Sequence, residues 1–234
     1  MQPELFTVPR PLLPMADIVN AAISNGKLGA VVARAGVGKT AFLVQAALYA
    51  MMTNRNVLHI NLADTVKKTA LWYEEMFSLM MTRCGKGGVG FPLTSLLSRR
   101  LIMTMKIAGF SVDSVRERLM DFIEQDVFSP SLIVLDGLNF DHSQHDTVVA
   151  LKKLCGEMSI GSWISVPAHR EEARDERQRP ARFAGVADLF DVAWEFLPEG
   201  QKIQVRTLST GDAGPADPGL YLNPSTLLLD VEAG

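Results

Sequence analysis

Runs of apolar residues and stretches with helical spacing alternate along most of the chain. Residues 28–33 (LGAVVA) form a short apolar run rich in β-branched side chains, which predicts a buried strand. Good helix formers fill 40–52 (TAFLVQAALYAMM). A second buried strand is predicted over 56–62 and a long amphipathic helix over 65–83. Residues 99–106 (RRLIMTMK) are strand-like. In 111–126, Ser111 suits an N-cap, and Val115, Leu119 and Phe122 are spaced for one helix face. A continuous apolar strand, 131–138 (SLIVLDGL), ends in an acid; a helix over 146–158 and a strand over 162–166 follow. Residues 191–197 and 202–208, joined by PEGQ, read as a hairpin.

Strands alternating with helices imply parallel strands joined by crossover helices. The expected fold is therefore α/β: a mostly parallel twisted sheet flanked by helices, with an antiparallel addition at its C-terminal edge. The proline-containing start, 1–25, is expected to be a lead-in segment, and 26–234 a single domain. No repeat or linker divides it.

Composition narrows the function classes. The chain has 234 residues, 47% hydrophobic and 21% charged, enough for a full core. Its net charge of −3 argues against coating nucleic acid by charge alone, so any such contact has to be local or created by assembly. The two cysteines, Cys84 and Cys155, lack metal-ligand spacing and imply free thiols in a reducing, cytoplasmic compartment. No apolar run reaches the ~18 residues of a membrane span. The start lacks the basic region of a signal peptide.

The stretch ARAGVGKTAF, at 33–42, carries the candidate chemistry. A phosphate-binding loop (Walker A) follows G-x-x-x-x-G-K-[ST]. Gly38, Lys39 and Thr40 complete it, while Ala33 replaces the first glycine. Small residues let backbone N–H groups converge on a phosphate, the lysine reaches the β/γ oxygens, and the hydroxyl holds Mg²⁺. The helix start adds partial positive charge. Ala35, Gly36, Val37, Gly38, Lys39, Thr40 and Ala41 are thus the candidate nucleotide-binding residues. Such a loop needs a partner acid (Walker B) at the tip of a neighbouring buried strand, to hold the Mg²⁺ through water. Asp136 fits, about 100 residues downstream. Thr40 and Asp136 are the expected metal-holding pair.

Other patterns carry less. GKGGVG, at 85–90, lacks the Lys-Thr close and is followed by FPL, so it reads as a loop. His142 and His145 have no third ligand at a fixed spacing. The methionines 76, 80, 81, 103 and 105 fall at core positions.

With both motifs in place, the chain resembles the RecA-like P-loop ATPases, and most closely the ATPase domain of DnaB-type replicative helicases. ARAGVGKTAF is similar to their phosphate loop, which begins Ala-Arg, so Ala33 is normal for that branch. IVLDGL, then LKKLCGEMSIGSWISV, then HREEARDERQRPARFAGVADLFDVAWEFL agree in order with the second half, and the likeness covers roughly 26–210. It implies Mg²⁺ and ATP as cofactors. It also implies a homo-oligomer such as a ring, or a protein partner, and an arginine-rich loop facing nucleic acid. Arg170, Arg174, Arg177 and Arg179 would be the contacts, although the loop 169–182 also carries four acids.

Three departures bear on the motor activity that the resemblance implies. Ala63 stands where those helicases place a catalytic glutamate, leaving Asp64 to position water. Pro167 stands near their γ-phosphate-sensing glutamine, and Arg206 alone remains of their finger pair. Lys39, Asp64 and Asp136 are therefore the candidate catalytic residues. The expectation is tight nucleotide binding with slow hydrolysis, in a nucleotide-dependent switch or assembly protein. The alternative is a DnaB-like hexameric helicase, motor or loader.

Overall fold

A computed structural model describes residues 8–23, 26–85, 91–140, 144–170, 172–208 and 218–231. The glycine-rich stretch 86–90 and His142 lie outside the described residues.

Nine strands form one mixed sheet in the order β3-β2-β4-β5-β1-β6-β7-β8-β9. The first six in that order are parallel: β3 (Arg100–Thr104), β2 (Val57–Asn61), β4 (Leu132–Asp136), β5 (Gly161–Pro167), β1 (Leu28–Ala33) and β6 (Val192–Glu199). The remaining three, β7 (Lys202–Thr207), β8 (Leu220–Leu222) and β9 (Leu229–Val231), are antiparallel. The expected α/β fold is present, with its antiparallel C-terminal edge. Every strand and helix expected from the pattern occurs within one or two residues of its place. The hairpin is β6–β7, and Ser111 caps its helix by accepting from the Ser114 N–H.

Strand parity divides the core into two layers, because alternate side chains point to opposite faces. Val31, Val57, Val134 and Trp163 face the helices α1 (Leu13–Ala22), α2 (Lys39–Met52) and α3 (Val66–Cys84). Ala30, Leu58, Ile133 and Ile164 face α5 (Val112–Glu124) and α6 (His145–Met158). The short helices α4 (Leu93–Leu96) and α7 (Ala181–Ala184) lie in connections.

The segment expected as a lead-in contains α1, whose Met15, Ala16 and Val19 are buried against the α2 layer. Its apolar residues sit at helical spacing, but the prolines at 9, 11 and 14 disguise it: they occupy a first turn, where a missing N–H costs nothing.

Helix α2 is buried on nearly all sides. Phe42 fixes its start, with ring centroids 5.0, 5.6 and 5.4 Å from those of Trp163, Trp194 and Phe196. Gly29 leaves room for this cluster, since a Cβ there would stand 2.5 Å from Ile23 and 2.8 Å from Trp163. Gln45, fully buried on α2, ties down the C-terminal edge. Its amide donates to the Ala41 and Leu227 carbonyls at 3.1 and 2.8 Å, and its oxygen accepts the Leu229 N–H at 2.9 Å. Gln45→Ala leaves that buried N–H and the Leu227 carbonyl without partners. It is expected to destabilise the fold by about 2–4 kcal/mol in urea titrations and to raise amide exchange at Leu229.

Candidate functional site

The turn after β1 ends where six parallel strands present their carboxyl ends. Residues 34–38 form it, with Gly36 at φ 77° and Gly38 at φ 105°, a region that favours glycine. Gly38 is the N-cap of α2, and no side chain caps the helix. The first N–H groups of α2 therefore have no intrahelical partner and carry the positive end of its dipole. Lys39 folds back over the turn and donates to the Ala33 and Arg34 carbonyls at 2.7 and 3.0 Å. An ammonium has three donors, so one direction remains for an anion. Burial lowers the Lys39 pKa, and the nearby Asp136 carboxylate opposes that shift.

Asp136 ends β4 and is 7% exposed. Thr40 Oγ1 donates to its Oδ2 at 2.7 Å, and Ser165 Oγ to its Oδ1 at 2.6 Å. The Gly137 N–H in turn donates to Ser165 Oγ at 3.1 Å. Parity explains the meeting: Asp136 shares a face with Val134, and Ser165 with Trp163, on the side that α2 covers. One detail differs from the sequence expectation. The acid strand is not the neighbour of β1, because β5 lies between them. Helix α2 crosses over β5 and β4, and so carries Thr40 the extra strand width.

A cavity of about 240 Å³ opens beside the turn, lined by Gly36, Gly38, Lys39, Thr40, Ala41, Asp64, Lys68, Trp72 and Leu227. Of the expected loop residues, Ala35 and Val37 do not line it, and Val37 packs against the core instead. Asp64 does reach the cavity and is paired with Lys68 at 2.8 Å. Asn61 sets its position, since Asn61 Oδ1 accepts the N–H groups of Ala63 and Asp64 at 2.9 and 2.7 Å. Ala63 lies against Gly137, where a Cβ would come 2.9 Å from the alanine methyl. Pro167 pairs with Ala33 across β5 and β1 and brings no polar side chain. Ser165, Asn61, Lys68, Trp72 and Leu227 escaped the sequence reading because none belongs to a phosphate-loop motif; the i,i+4 separation of Asp64 and Lys68 was the one local signal among them.

The arginine loop lies on the β6 side of the turn, where Arg170, Arg174 and Glu195 share a pocket with Ala33 and Arg34. Arg174 forks onto Glu195, with bonds of 3.1 and 2.7 Å, and also donates to the Gln178 carbonyl. Arg206 donates to the same carboxylate at 2.6 Å. Arg179 pairs with Asp175 at 2.7 Å and Asp188 at 3.2 Å. Arg170 and Arg177 are exposed. Arg174 and Arg179, both proposed as nucleic-acid contacts, are thus held by acids of their own chain. His145 is exposed at the start of α6, 3.5 Å from Asp146. Among the described residues, no group of three or more His, Cys, Asp or Glu could hold a metal by itself. No helix among them is long and apolar enough to cross a membrane. Both cysteines are free.

His59 lies beneath the site on β2, fully buried, with Nδ1 2.9 Å from the Tyr73 hydroxyl and Nε2 without a hydrogen-bond partner. Burial pushes its pKa down to about 4; Asp136 pulls it up, and Arg100 pushes it further down. The folded protein thus keeps His59 neutral to about pH 4, while the unfolded chain protonates it near 6.5. Between those values the unfolded state binds more protons, so stability is lost as pH falls through the window. Wild type is expected to lose about 2 kcal/mol more than His59→Gln between pH 6.5 and 4.5, measured by urea midpoints. Equal losses would assign the acid sensitivity elsewhere.

Compared with protein-family models and with curated proteins, the chain matches none.

Proposed function

We propose that this chain is a RecA-like P-loop protein that binds Mg²⁺·ATP in the 33–40 turn and hydrolyses it slowly. Its nucleotide state would serve as a switch, read by a partner protein or by further copies of the chain. The observation that carries this reading is the Thr40–Asp136 hydrogen bond of 2.7 Å. It joins a hydroxyl at the start of an uncapped helix to a strand-end carboxylate 96 residues away, beside the cavity. A glycine turn, a lysine, a hydroxyl and an acid gathered at the carboxyl ends of parallel strands are the groups that a phosphate site requires, and they support the reading.

Lys39 would meet the β/γ-phosphate oxygens with its remaining donor direction, in a charge-assisted bond. Thr40 and Asp136 fit Mg²⁺, a hard cation that takes one or two protein oxygens and fills its remaining positions with phosphate and water. When bound, the ion would neutralise charge on the phosphates. The slow rate is argued from Ala63 and Pro167, which bring no group to orient water, and from Arg206, which is held by Glu195. Lack of an arginine supplied in trans costs on the order of 10³–10⁵ in rate.

Lys39→Ala is expected to weaken Mg²⁺·ATP binding at least tenfold, or about 1.4 kcal/mol, by calorimetry. Equal affinity would sink the reading. Turnover of the wild type with and without single-stranded DNA separates switch from motor. The switch predicts no stimulation, and no change of mass in solution on adding DNA.

Asp64→Asn tests the remaining water-positioning group. Turnover is expected to fall while ATP affinity stays within about twofold, the pattern of a group that acts only in the transition state. Unchanged turnover makes Asp64 a partner of Lys68 and nothing more.

A further inference from the structure

The cavity beside the glycine turn is lined by Lys39, Thr40 and the start of α2, and also by Trp72 and Leu227. Nothing in the phosphate chemistry calls for those two large apolar side chains. Asp64, just before α3, and Lys68 and Trp72, one turn apart on it, recur every four residues and all line the cavity beside the turn. Lys68 and Trp72 are one helical turn apart, about 6 Å along the axis. The Trp72 ring is half-buried: it packs against the α2 layer and also lines the cavity. The other tryptophans, Trp163 and Trp194, are only 1% and 3% exposed.

Leu227 supplies the second apolar wall. It sits between β8 and β9 at φ 56°, a left-handed conformation that costs a branched residue about 1–3 kcal/mol. The surrounding bonds hold it there: its N–H donates to the Asn223 carbonyl at 2.7 Å, and its carbonyl accepts from Gln45 at 2.8 Å. Its side chain reaches over the turn, 3.4 Å from where a Cβ on Gly38 would lie. A strained residue pinned by a buried glutamine, with its side chain in the cavity wall, is an arrangement that a plain hairpin does not need.

We propose that Trp72 and Leu227 form a base clamp that grips the purine of a nucleoside triphosphate whose phosphates lie on the 36–41 turn. This rests on the phosphate-site reading and adds to it the part of the ligand that the turn does not touch. The indole face would stack on the base, and the leucine would cover it from the β8–β9 side. Stacking strength grows with ring size, so purines are held more tightly than pyrimidines, with little discrimination between adenine and guanine. Lys68, one turn back, stands between the base end and the phosphate end.

Calorimetry with Mg²⁺ complexes of ATP, GTP, CTP, UTP and inorganic tripolyphosphate tests the clamp. Wild type is expected to bind ATP and GTP more tightly than CTP, UTP and tripolyphosphate. Trp72→Ala should weaken ATP about tenfold and leave tripolyphosphate unchanged, as expected for one lost stack. Trp72→Phe, which keeps the ring, should retain ATP within about threefold while abolishing the fluorescence quench that ATP produces in the wild type. Leu227→Ala should weaken ATP and not tripolyphosphate. If tripolyphosphate binds and Lys39→Ala abolishes that binding, yet Trp72→Ala leaves the ATP to tripolyphosphate ratio unaltered, the clamp is overturned and the phosphate site stands. A quench that persists in Trp72→Phe also overturns the clamp. If wild type binds neither ATP nor tripolyphosphate, or Lys39→Ala leaves both unchanged, the phosphate site and the clamp fall together.

Discussion

A carboxylate at the end of a central strand has to be satisfied, and the site is arranged around that need. Asp136 is 7% exposed, so its charge is largely cut off from water. An unpaired buried charge costs several kcal/mol, more than any single helix cap or surface pair returns. Thr40 and Ser165 each give it a hydroxyl hydrogen, and the Lys39 ammonium lies near enough to feel its field. The two hydroxyls come from α2 and β5, so satisfying one acid fixes the helix relative to two strands. The hydroxyl of Thr40 cannot turn elsewhere without leaving a carboxylate oxygen short. The same group is therefore a structural tie in the free protein and a metal-holding candidate in the proposed complex.

The tie works only because the helix start is already held. Phe42, two residues beyond Thr40, is locked among Trp163, Trp194 and Phe196. Burying a ring of that size is worth about 2–3 kcal/mol, and edge-to-face contacts add to it. Gln45, one turn further, binds the β8–β9 edge to the same helix through the Leu227 carbonyl and the Leu229 N–H. Turn, helix and C-terminal edge thus form one packed unit. The strained Leu227 is held by this unit, and so is the wall it gives to the cavity.

Most of the fold was legible in the chain because strands and helices there follow the two elementary periods. The apolar runs at 28–33 and 131–138 are short, β-branched and bounded, and they became β1 and β4. The missed elements had no such signal. Prolines masked α1, and β8 and β9 are three residues each, too short for an alternation to emerge. The loop residues and Thr40 stood out because a phosphate loop has a fixed local spacing, and Asp136 because it ends an apolar strand; the structure brings Thr40 and Asp136 together. Ser165 could not, since it acts through fold-dependent contacts with Asp136 and Gly137, and Asn61 could not, since its local bonds to the Ala63 and Asp64 N–H groups belong to no motif. Asp64 was legible by position alone; its pairing with Lys68 was not, although the separation of four residues is the ordinary one for such pairs. Strand order was the other invisible quantity. Nothing in a list of strands tells that β5 enters between β1 and β4, and without that Ser165 has no reason to matter.

The arginine loop shows how energetics choose between readings that composition leaves open. Glu195 has a side chain 3% exposed and binds Arg174 and Arg206 together. Turning Arg174 toward a nucleic-acid phosphate would leave that buried acid with Arg206 alone. Removing one partner of a buried pair costs about 3–5 kcal/mol, and the surviving arginine and the partial exposure of Arg174 reduce this to about 2 kcal/mol. One phosphate contact to a single strand gives a slope of about 0.7 in log salt, worth about 0.8 kcal/mol at physiological ionic strength. The internal pair wins by more than a factor of two. Arg206 faces the same balance when offered to a neighbour's nucleotide, unless the neighbour brings an acid of its own or several phosphate oxygens at once. On the proposed switch reading, assembly and not nucleic acid alone would have to free these arginines.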